Sequence, residues 1–119
     1  MSTVPLFEAS LDTVPRVNKM MLQHYVAQQV TIVGEFQYRC AENPNHFDFL
    51  SSDHNIFTVI YPNMPDNFQG YNCKFVEVEG LVLDEKTIQQ TNYQEWGNRF
   101  NMKTWNQFVI LCQDLPALF

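Results

Sequence analysis

The chain of 119 residues has seven basic and thirteen acidic side chains, which give a net charge of −6 and a pI near 4.8. Its length predicts one domain, and its charge argues against tight autonomous binding of nucleic acid, because such binding usually requires a basic face. Cys40, Cys73 and Cys112 are too far apart in sequence for a zinc-type pair, and their odd number argues against a secreted disulfide scaffold, so reduced intracellular thiols are expected.

The residue pattern of the N-terminal region predicts an arm followed by a short helix. The first dozen residues lack the segments of a signal peptide, and no apolar run approaches the ~18 residues of a membrane span, so we expect neither a signal peptide nor membrane contact. Residues 1–14 are aperiodic and predict a flexible arm. Thr13 is expected to cap a helix that begins at Pro15 and ends near Ala27. Its apolar residues recur at helical spacing: Val17, Met20, Met21 and Tyr25.

Alternating apolar and polar residues predict five strands after that helix. Gly34 and Gly80 interrupt two of these strands and indicate bulges or bends. Because most connections are too short for crossover helices, residues 15–99 are predicted to form a mainly β domain, a single five-stranded Greek-key barrel of the OB-fold type. A small β-sandwich is the alternative. The predicted strands cover residues 29–40, 46–52, 56–61, 73–83 and 86–96.

Residues 100–119 return to a helical period and predict a C-terminal oligomerisation helix. It covers 102–115, with Asn101 as the N-cap and Pro116 as the stop signal. Its apolar arc spans about 180°, whereas a helix that serves only its own domain needs roughly 100°, so we expect a partner to cover the remainder. A helix buried wholly in its own core, or a homo-oligomer, are the alternatives. The predicted partner-binding residues are Met102, Trp105, Phe108, Val109, Leu111, Cys112 and Leu115. Ile110 is expected on the polar face, with Lys103, Asn106, Gln107, Gln113 and Asp114.

The C-terminal run resembles the trimerisation helix of the smallest subunit of replication protein A. That family has an aromatic residue, an aromatic–Asn pair, an apolar ladder and an Asp–apolar–Pro exit. Their counterparts here are Phe100, Trp105–Asn106, Val109, Leu111 and Asp114–Leu115–Pro116. Similar segments are the lead-in Pro15, Arg16, Asn18, Met21 and Leu22, and residues 30–34, 75–80 and 87–93. The resemblance extends from about Pro15 to Phe119, but between Arg39 and Tyr71 only the strand pattern and the turn at Ser51–Asp53 match.

The resemblance implies an OB-fold with one helix beside the barrel. It also implies that this helix joins helices of the middle and large OB-fold subunits in a three-helix bundle, so that the chain is mainly structural and reaches single-stranded DNA through those partners. Nuclear roles in DNA replication, repair, recombination and telomere maintenance follow from the family. Small subunits of telomere and telomerase-associated complexes look alike, so the particular complex stays open.

A second interpretation is an autonomous OB module that binds single-stranded nucleic acid by stacking bases on aromatic rings and contacting phosphates with basic groups. In so small a barrel most aromatic rings are expected to fill the interior. His46, Asp48, Asp53 and His54 are too loosely spaced to predict a metal site. The isolated glycines and the lack of nucleophile motifs predict no enzyme activity and no cofactor. The candidate nucleic-acid residues are Phe36, Tyr38, Arg39, Phe57 and Lys74.

Overall fold

The computed structural model describes residues 14–114, so the predicted arm before Val14 and the predicted cap Thr13 lie outside the described residues. No helix within this part of the chain is long and apolar enough to cross a membrane. The elements in chain order are β1 (Arg16–Val17), a 3-10 helix (Lys19–His24), β2 (Gln29–Arg39), β3 (His46–Ser51), β4 (Ile56–Ile60), β5 (Phe75–Asp84), β6 (Thr87–Gly97) and α1 (Met102–Asp114).

Strands β2 to β6 close into a ring. β2 pairs with β3, β3 with β4 and β5 with β6 in antiparallel fashion, whereas β4 pairs with β6 in parallel. β5 returns to β2 in an antiparallel pair that covers Gln29–Glu35, and this pair completes the barrel. The five predicted strands and their Greek-key order are therefore present, and β1 adds a short parallel edge to β2.

Strand β2 has two neighbours along its length, and it changes from one to the other near Gly34. Its first half pairs with β5, and its second half pairs with β3 from Gly34 onward. A Cβ atom at Gly34 would lie 2.8 Å from Phe49 Cβ and 2.8 Å from Phe57 Cζ. The glycine therefore lets β2 approach these two side chains where the strand changes its neighbour. The register irregularity itself lies just beyond, between Phe36 and Tyr38.

The barrel interior is filled by alternate residues of its five strands. Three phenylalanine rings and a set of β-branched side chains are almost completely removed from solvent. Fully burying a side chain of this size contributes about 1.5–3 kcal/mol, so this set supplies most of the apolar stabilisation of the domain. Its members in the strands are Val30, Ile32, Phe47, Phe49, Phe57, Val59, Val76, Val78, Val82 and Ile88.

The helix predicted from Pro15 to Ala27 is present only as the six-residue 3-10 helix Lys19–His24, so its predicted bounds and its α-helical form are wrong. The carbonyl oxygen of Pro15 accepts from Thr31 N–H at 2.9 Å, which holds Arg16–Val17 as a strand beside β2. Asn18 is extended, with φ −111° and ψ −178°, so an α-helix cannot continue through it. Ala27 has a positive φ of 69° and lies in the turn before β2. The apolar spacing instead belongs to an edge strand followed by a short 3-10 helix.

The first three N–H groups of the 3-10 helix all donate to side chains. Lys19 N–H donates to Ser51 Oγ at 3.0 Å, and Met20 N–H donates to Asp53 Oδ2 at 2.9 Å. The third group, on Met21, donates to the Oδ1 atom of Asn18 at 3.2 Å. Two of the three acceptors are far away in sequence: Ser51 is the last residue of β3, and Asp53 lies in the turn that follows. Tertiary contacts therefore provide the capping that a local sequence pattern would otherwise supply.

We expect Gly34→Ala to lower the free energy of unfolding by about 1–3 kcal/mol, because the added methyl group would overpack the Phe49 and Phe57 rings. Urea unfolding followed by tryptophan fluorescence measures the change. Gln37→Ala alters an exposed position of the same strand and should stay within about 0.5 kcal/mol of wild type. Equal stabilities of wild type and Gly34→Ala would show that the barrel corner tolerates a side chain here.

Candidate partner-binding helix and nucleic-acid face

Helix α1 begins where the sequence predicts. Asn101 Oδ1 accepts from Thr104 N–H at 2.9 Å, and the carbonyl oxygen of Asn101 accepts from Trp105 N–H at 3.1 Å. This is the geometry of an asparagine N-cap. The helix covers Met102–Asp114, so the predicted partner-binding residue Leu115 lies outside the described residues.

The side of α1 that faces the barrel is partly polar, contrary to the sequence-based prediction. Val109 is fully buried. Asn106, expected on the solvent face, directs its Oδ1 atom inward and accepts from Asn18 Nδ2 at 3.0 Å and from Ser52 Oγ at 2.9 Å. Asn18 and Ser52 are each only 4% exposed. We call Asn18, Ser52 and Asn106 the polar hub, because their side chains join three distant segments of the chain.

A second polar contact holds the C-terminal part of α1. The hydroxyl group of Tyr25 donates to Gln113 Oε1 at 2.9 Å, and Gln113 Nε2 donates to the carbonyl oxygen of Arg16 at 3.5 Å. Gln113 was also expected to face solvent. Its partners lie in β1 and directly after the 3-10 helix, so α1 rests on the N-terminal segment as well as on the barrel.

Four aromatic rings connect the end of β6 to the first turns of α1. Trp96 lies 4.8 Å from Phe100 and 5.3 Å from Trp105, measured between ring centroids, and both pairs are close to edge-to-face. The ring of Trp105 is in turn 5.2 Å from that of Phe108. Trp105 Nε1 is buried and has no hydrogen-bond partner within residues 14–114. These rings fix the N-terminal half of the helix by aromatic packing.

The outer side of α1 carries exposed apolar side chains. Phe108 is 37% exposed and Leu111 is 48% exposed, whereas Met102, Trp105 and Cys112 are partly buried. A groove lies beside the first two turns of the helix. Large exposed apolar groups that lie together on a monomer indicate an interaction surface. The groove is lined by Phe100, Asn101, Thr104, Trp105 and Phe108.

The predicted partner-binding set is therefore divided between the two sides of α1. Val109 is used within the chain and cannot meet a partner in this conformation. Phe108 and Leu111 remain available. Ile110, 44% exposed, stands apart from them on the side predicted to be polar.

Two of the predicted nucleic-acid residues belong to the barrel interior. Phe57 is fully buried and stacks on Phe49 with a centroid distance of 5.6 Å, so it cannot offer a ring face to a base. Phe36 is partly buried and packs against Phe47, Phe49 and Tyr71. Neither ring is placed for base stacking, because a five-stranded barrel needs its inward-facing aromatic residues as core.

Tyr38 is the one predicted aromatic candidate whose ring is well exposed, at 60%. A hydrogen bond to Asp48, with the charge of that carboxylate, raises the pKa of Tyr38. Asp48 Oδ1 also accepts from Thr58 Oγ1 at 2.8 Å on the neighbouring strand. A carboxylate beside the ring would repel a phosphate backbone, which makes this surface unfavourable for nucleic acid.

The basic candidates are already engaged within the chain. Arg39 donates its Nε hydrogen to the carbonyl oxygen of Pro44, and its guanidinium group lies 5.3 Å from the centroid of the Phe47 ring. Lys74 Nζ lies 3.7 Å from Glu35 Oε2, an exposed pair of little energetic weight. The five predicted nucleic-acid residues are thus not brought together on one face. Within residues 14–114, no three His, Cys, Asp or Glu side chains are grouped so that they could hold a metal ion.

Sequence reasoning missed an aromatic cluster contributed by the connection between β4 and β5. Tyr71 is buried and contacts Phe47, Phe49 and Phe68, and its hydroxyl group donates to Gln90 Oε1 at 2.7 Å. The signal was the pair of aromatic residues in an otherwise polar, irregular segment. This connection therefore closes over the barrel core.

The closed five-stranded barrel with one C-terminal helix defines an OB-fold protein. The sequence profile of Replication factor A protein 3 matches residues 9–119, and the chain belongs to this family. Its members are non-enzymatic subunits of replication-protein-A-like complexes that bind single-stranded DNA, in agreement with the prediction that this chain has no catalytic activity. Among curated proteins, none gives a significant match.

Similar solved structures confirm the predicted OB fold. A chain in the structure of U. maydis replication protein A bound to single-stranded DNA is 26% identical, with a TM-score of 0.77 over 89% of this chain and 94% of that chain. A chain of the S. pombe Stn1–Ten1 complex is 10% identical, with a TM-score of 0.69 over 87% and 94%. The S. pombe telomere capping protein Ten1 is 10% identical, with a TM-score of 0.67 over 86% and 99%. The last two likenesses concern the fold alone.

We expect Tyr71→Phe to lower the free energy of unfolding by about 1–3 kcal/mol at pH 7, because buried Gln90 loses its donor. Burial raises the pKa of Tyr71, so the folded state favours the neutral phenol. Wild type should therefore lose stability as pH rises above ~10, where the unfolded tyrosine ionises, and its advantage over the variant should shrink.

Urea unfolding at pH 7 and at pH values above ~10 checks this expectation. Tyr38→Phe makes the same chemical change at an exposed ring and should alter stability less. A difference between wild type and Tyr71→Phe that stays constant over the whole pH range would contradict the assigned role of the buried phenol.

Proposed function

We propose that this chain is the structural subunit of a replication-protein-A-like heterotrimer and that it assembles through α1. The observation that carries the proposal is the apolar outer side of this helix, where Phe108 and Leu111 are exposed while Val109 is fully buried on another side. The partners proposed are the middle and large OB-fold subunits, whose helices would pack with α1 in a three-helix bundle. The family assignment and the likeness to a chain of U. maydis replication protein A support this choice.

The energetics favour a partner that offers more than one helix. Fully burying a large apolar side chain contributes about 1.5–3 kcal/mol, and the loss of translational and rotational freedom on association costs at least as much as two such side chains provide. A single contact over Phe108 and Leu111 would therefore be marginal. Two partner helices that also fill the groove beside Trp105 would bury enough apolar surface to hold the subunit.

Single-stranded DNA is proposed to be bound mainly by the partners. The net charge of −6 opposes a phosphate backbone, and the basic candidate Arg39 is engaged within the chain. The proposed location is the nucleus, with roles in DNA replication, repair, recombination or telomere maintenance. The likeness to Ten1 in fold keeps a telomeric complex as the alternative to general replication protein A.

We expect Leu111→Asp to abolish assembly, because the partner interface would have to bury an unpaired carboxylate. The measurement is co-purification of the two larger OB-fold subunits with the tagged chain, identified by mass spectrometry. Since Leu111 is 48% exposed in the isolated chain, the variant should fold with near wild-type stability.

Gln107→Asp is the matched control. It introduces the same charge on an exposed polar side chain of the same helix and should leave assembly intact. Recovery of both partner subunits with Leu111→Asp at the wild-type yield would refute the proposed use of α1.

Autonomous binding of single-stranded nucleic acid is the second candidate function, and the exposed ring of Tyr38 is the observation in its favour. We expect the isolated chain to leave the fluorescence anisotropy of a labelled oligonucleotide unchanged at low salt, because Asp48 lies opposite Tyr38 on the neighbouring strand and the net charge of −6 opposes a phosphate backbone. Binding that weakens steeply with salt and is lost in Tyr38→Ala would instead support the autonomous module.

A further inference from the structure

Apolar packing alone does not explain why Val109, rather than a neighbouring side chain, faces the barrel. A turn of α1 about its axis by one residue position would move Phe108 to the place of Val109 and Trp105 to the place of Asn106, because successive residues are about 100° apart. That rotation would bury larger apolar groups, which the hydrophobic effect favours. The contacts of the Trp105 ring with Trp96 and Phe100 oppose that rotation, and a buried polar interaction adds to the selection of the observed one.

The polar hub provides this polar interaction. Asn18 Nδ2 and Ser52 Oγ are donors in almost fully buried residues, and Asn106 Oδ1 accepts from both, at 3.0 and 2.9 Å. In the alternative rotation the indole of Trp105 would replace this oxygen, and an indole offers a donor but no acceptor. Both buried donors would then lose their partner, which is costly.

The polar contacts of Gln113 also favour the observed rotation of α1. Gln113 lies two helical turns beyond Asn106 and binds the hydroxyl group of Tyr25 and the carbonyl oxygen of Arg16. Gln113 and Asn106 are both partly buried, but the contact of Gln113 to Arg16 is long, at 3.5 Å, whereas the two residues that Asn106 binds in the hub are almost fully buried. The hub therefore makes the stronger selection.

We propose that Asn106 is the positioning residue of the assembly helix: its side-chain oxygen fixes the rotation of α1 on the barrel and thereby presents Phe108 and Leu111 to a partner. This inference rests on the proposed function of α1 in assembly. The physics is that of a single buried asparagine in a coiled coil, which specifies one register at some cost in stability. The polar residue therefore sets specificity, and the apolar residues provide affinity.

The test measures the rotation of α1 in the full chain without partners. Methyl groups of Val109 and Leu111 are observed by NMR in the presence of a soluble paramagnetic probe, which broadens exposed methyl signals. In wild type, Leu111 should be strongly broadened and Val109 protected. In Asn106→Leu the preference for the native rotation should fall roughly tenfold or more, as expected for two lost hydrogen bonds, and the two residues should become similarly accessible.

Two variants separate the hub from a general effect on the helix. Gln107→Leu makes the same change of amide to leucine at the next, exposed position and should keep the wild-type pattern. Asn106→Asp retains an acceptor oxygen for both donors and should also keep that pattern. If Val109 and Leu111 became similarly accessible in Asn106→Asp, as expected for Asn106→Leu, the role assigned to the acceptor oxygen would be overturned.

Protected Val109 and exposed Leu111 in Asn106→Leu would overturn the proposal. Loss of protection at the barrel-core methyl groups of Val78 in the same variant would overturn it as well, because Asn106 would then support the barrel rather than the rotation of α1. Since no partner is present, these outcomes are distinct from a failure of Leu111→Asp to block assembly, which concerns the proposed function.

Discussion

The contact among Asn18, Ser52 and Asn106 is the constraint on which the arrangement of the chain depends. These residues come from the segment before the 3-10 helix, the turn between β3 and β4, and the second turn of α1. Ser51 at the end of β3 and Asp53 in this turn also cap the 3-10 helix. Because buried polar groups are costly unless all are paired, the three segments are held in one mutual arrangement rather than in several of similar energy.

This constraint gives α1 an unusual distribution of side chains. A helix packed on its own barrel normally places its apolar stripe inward and its polar residues outward. Here Asn106 and Gln113 face inward with Val109 between them, while Phe108 and Leu111 face outward. The polar contacts orient α1 on the rest of the chain, and larger apolar side chains remain exposed. This arrangement suits a subunit rather than a self-contained domain.

The aromatic residues of the barrel are used mainly for its own core. Its aromatic residues pack mostly against one another, including Tyr71 from the connection that covers the core, so few rings remain for bases. Tyr38 is exposed, but the carboxylate residue Asp48 lies opposite it on the neighbouring strand. An acidic OB-fold with an interior of this kind is better suited to hold other subunits than to grip a phosphate backbone, in accordance with the family to which the chain belongs.

The sequence by itself determined the elements whose signals are local. Alternating residues located the five strands, and Asn101 located the start of α1. The tertiary structure decided what depends on distant partners. Residues 15–27 have helical spacing, yet Thr31 and the turn at 51–53 bind their backbone in another conformation.

The inward side of α1 was decided in the same way. The sequence alone predicts that Asn106 faces solvent, whereas the structure shows that it binds Asn18 and Ser52. The sequence alone also makes Phe57 a candidate for base stacking, whereas the structure buries it in the barrel. Hydropathy along one segment reports which side chains avoid water on average. It does not report which buried donor, far away in sequence, requires an acceptor, and that requirement fixed the rotation of the helix.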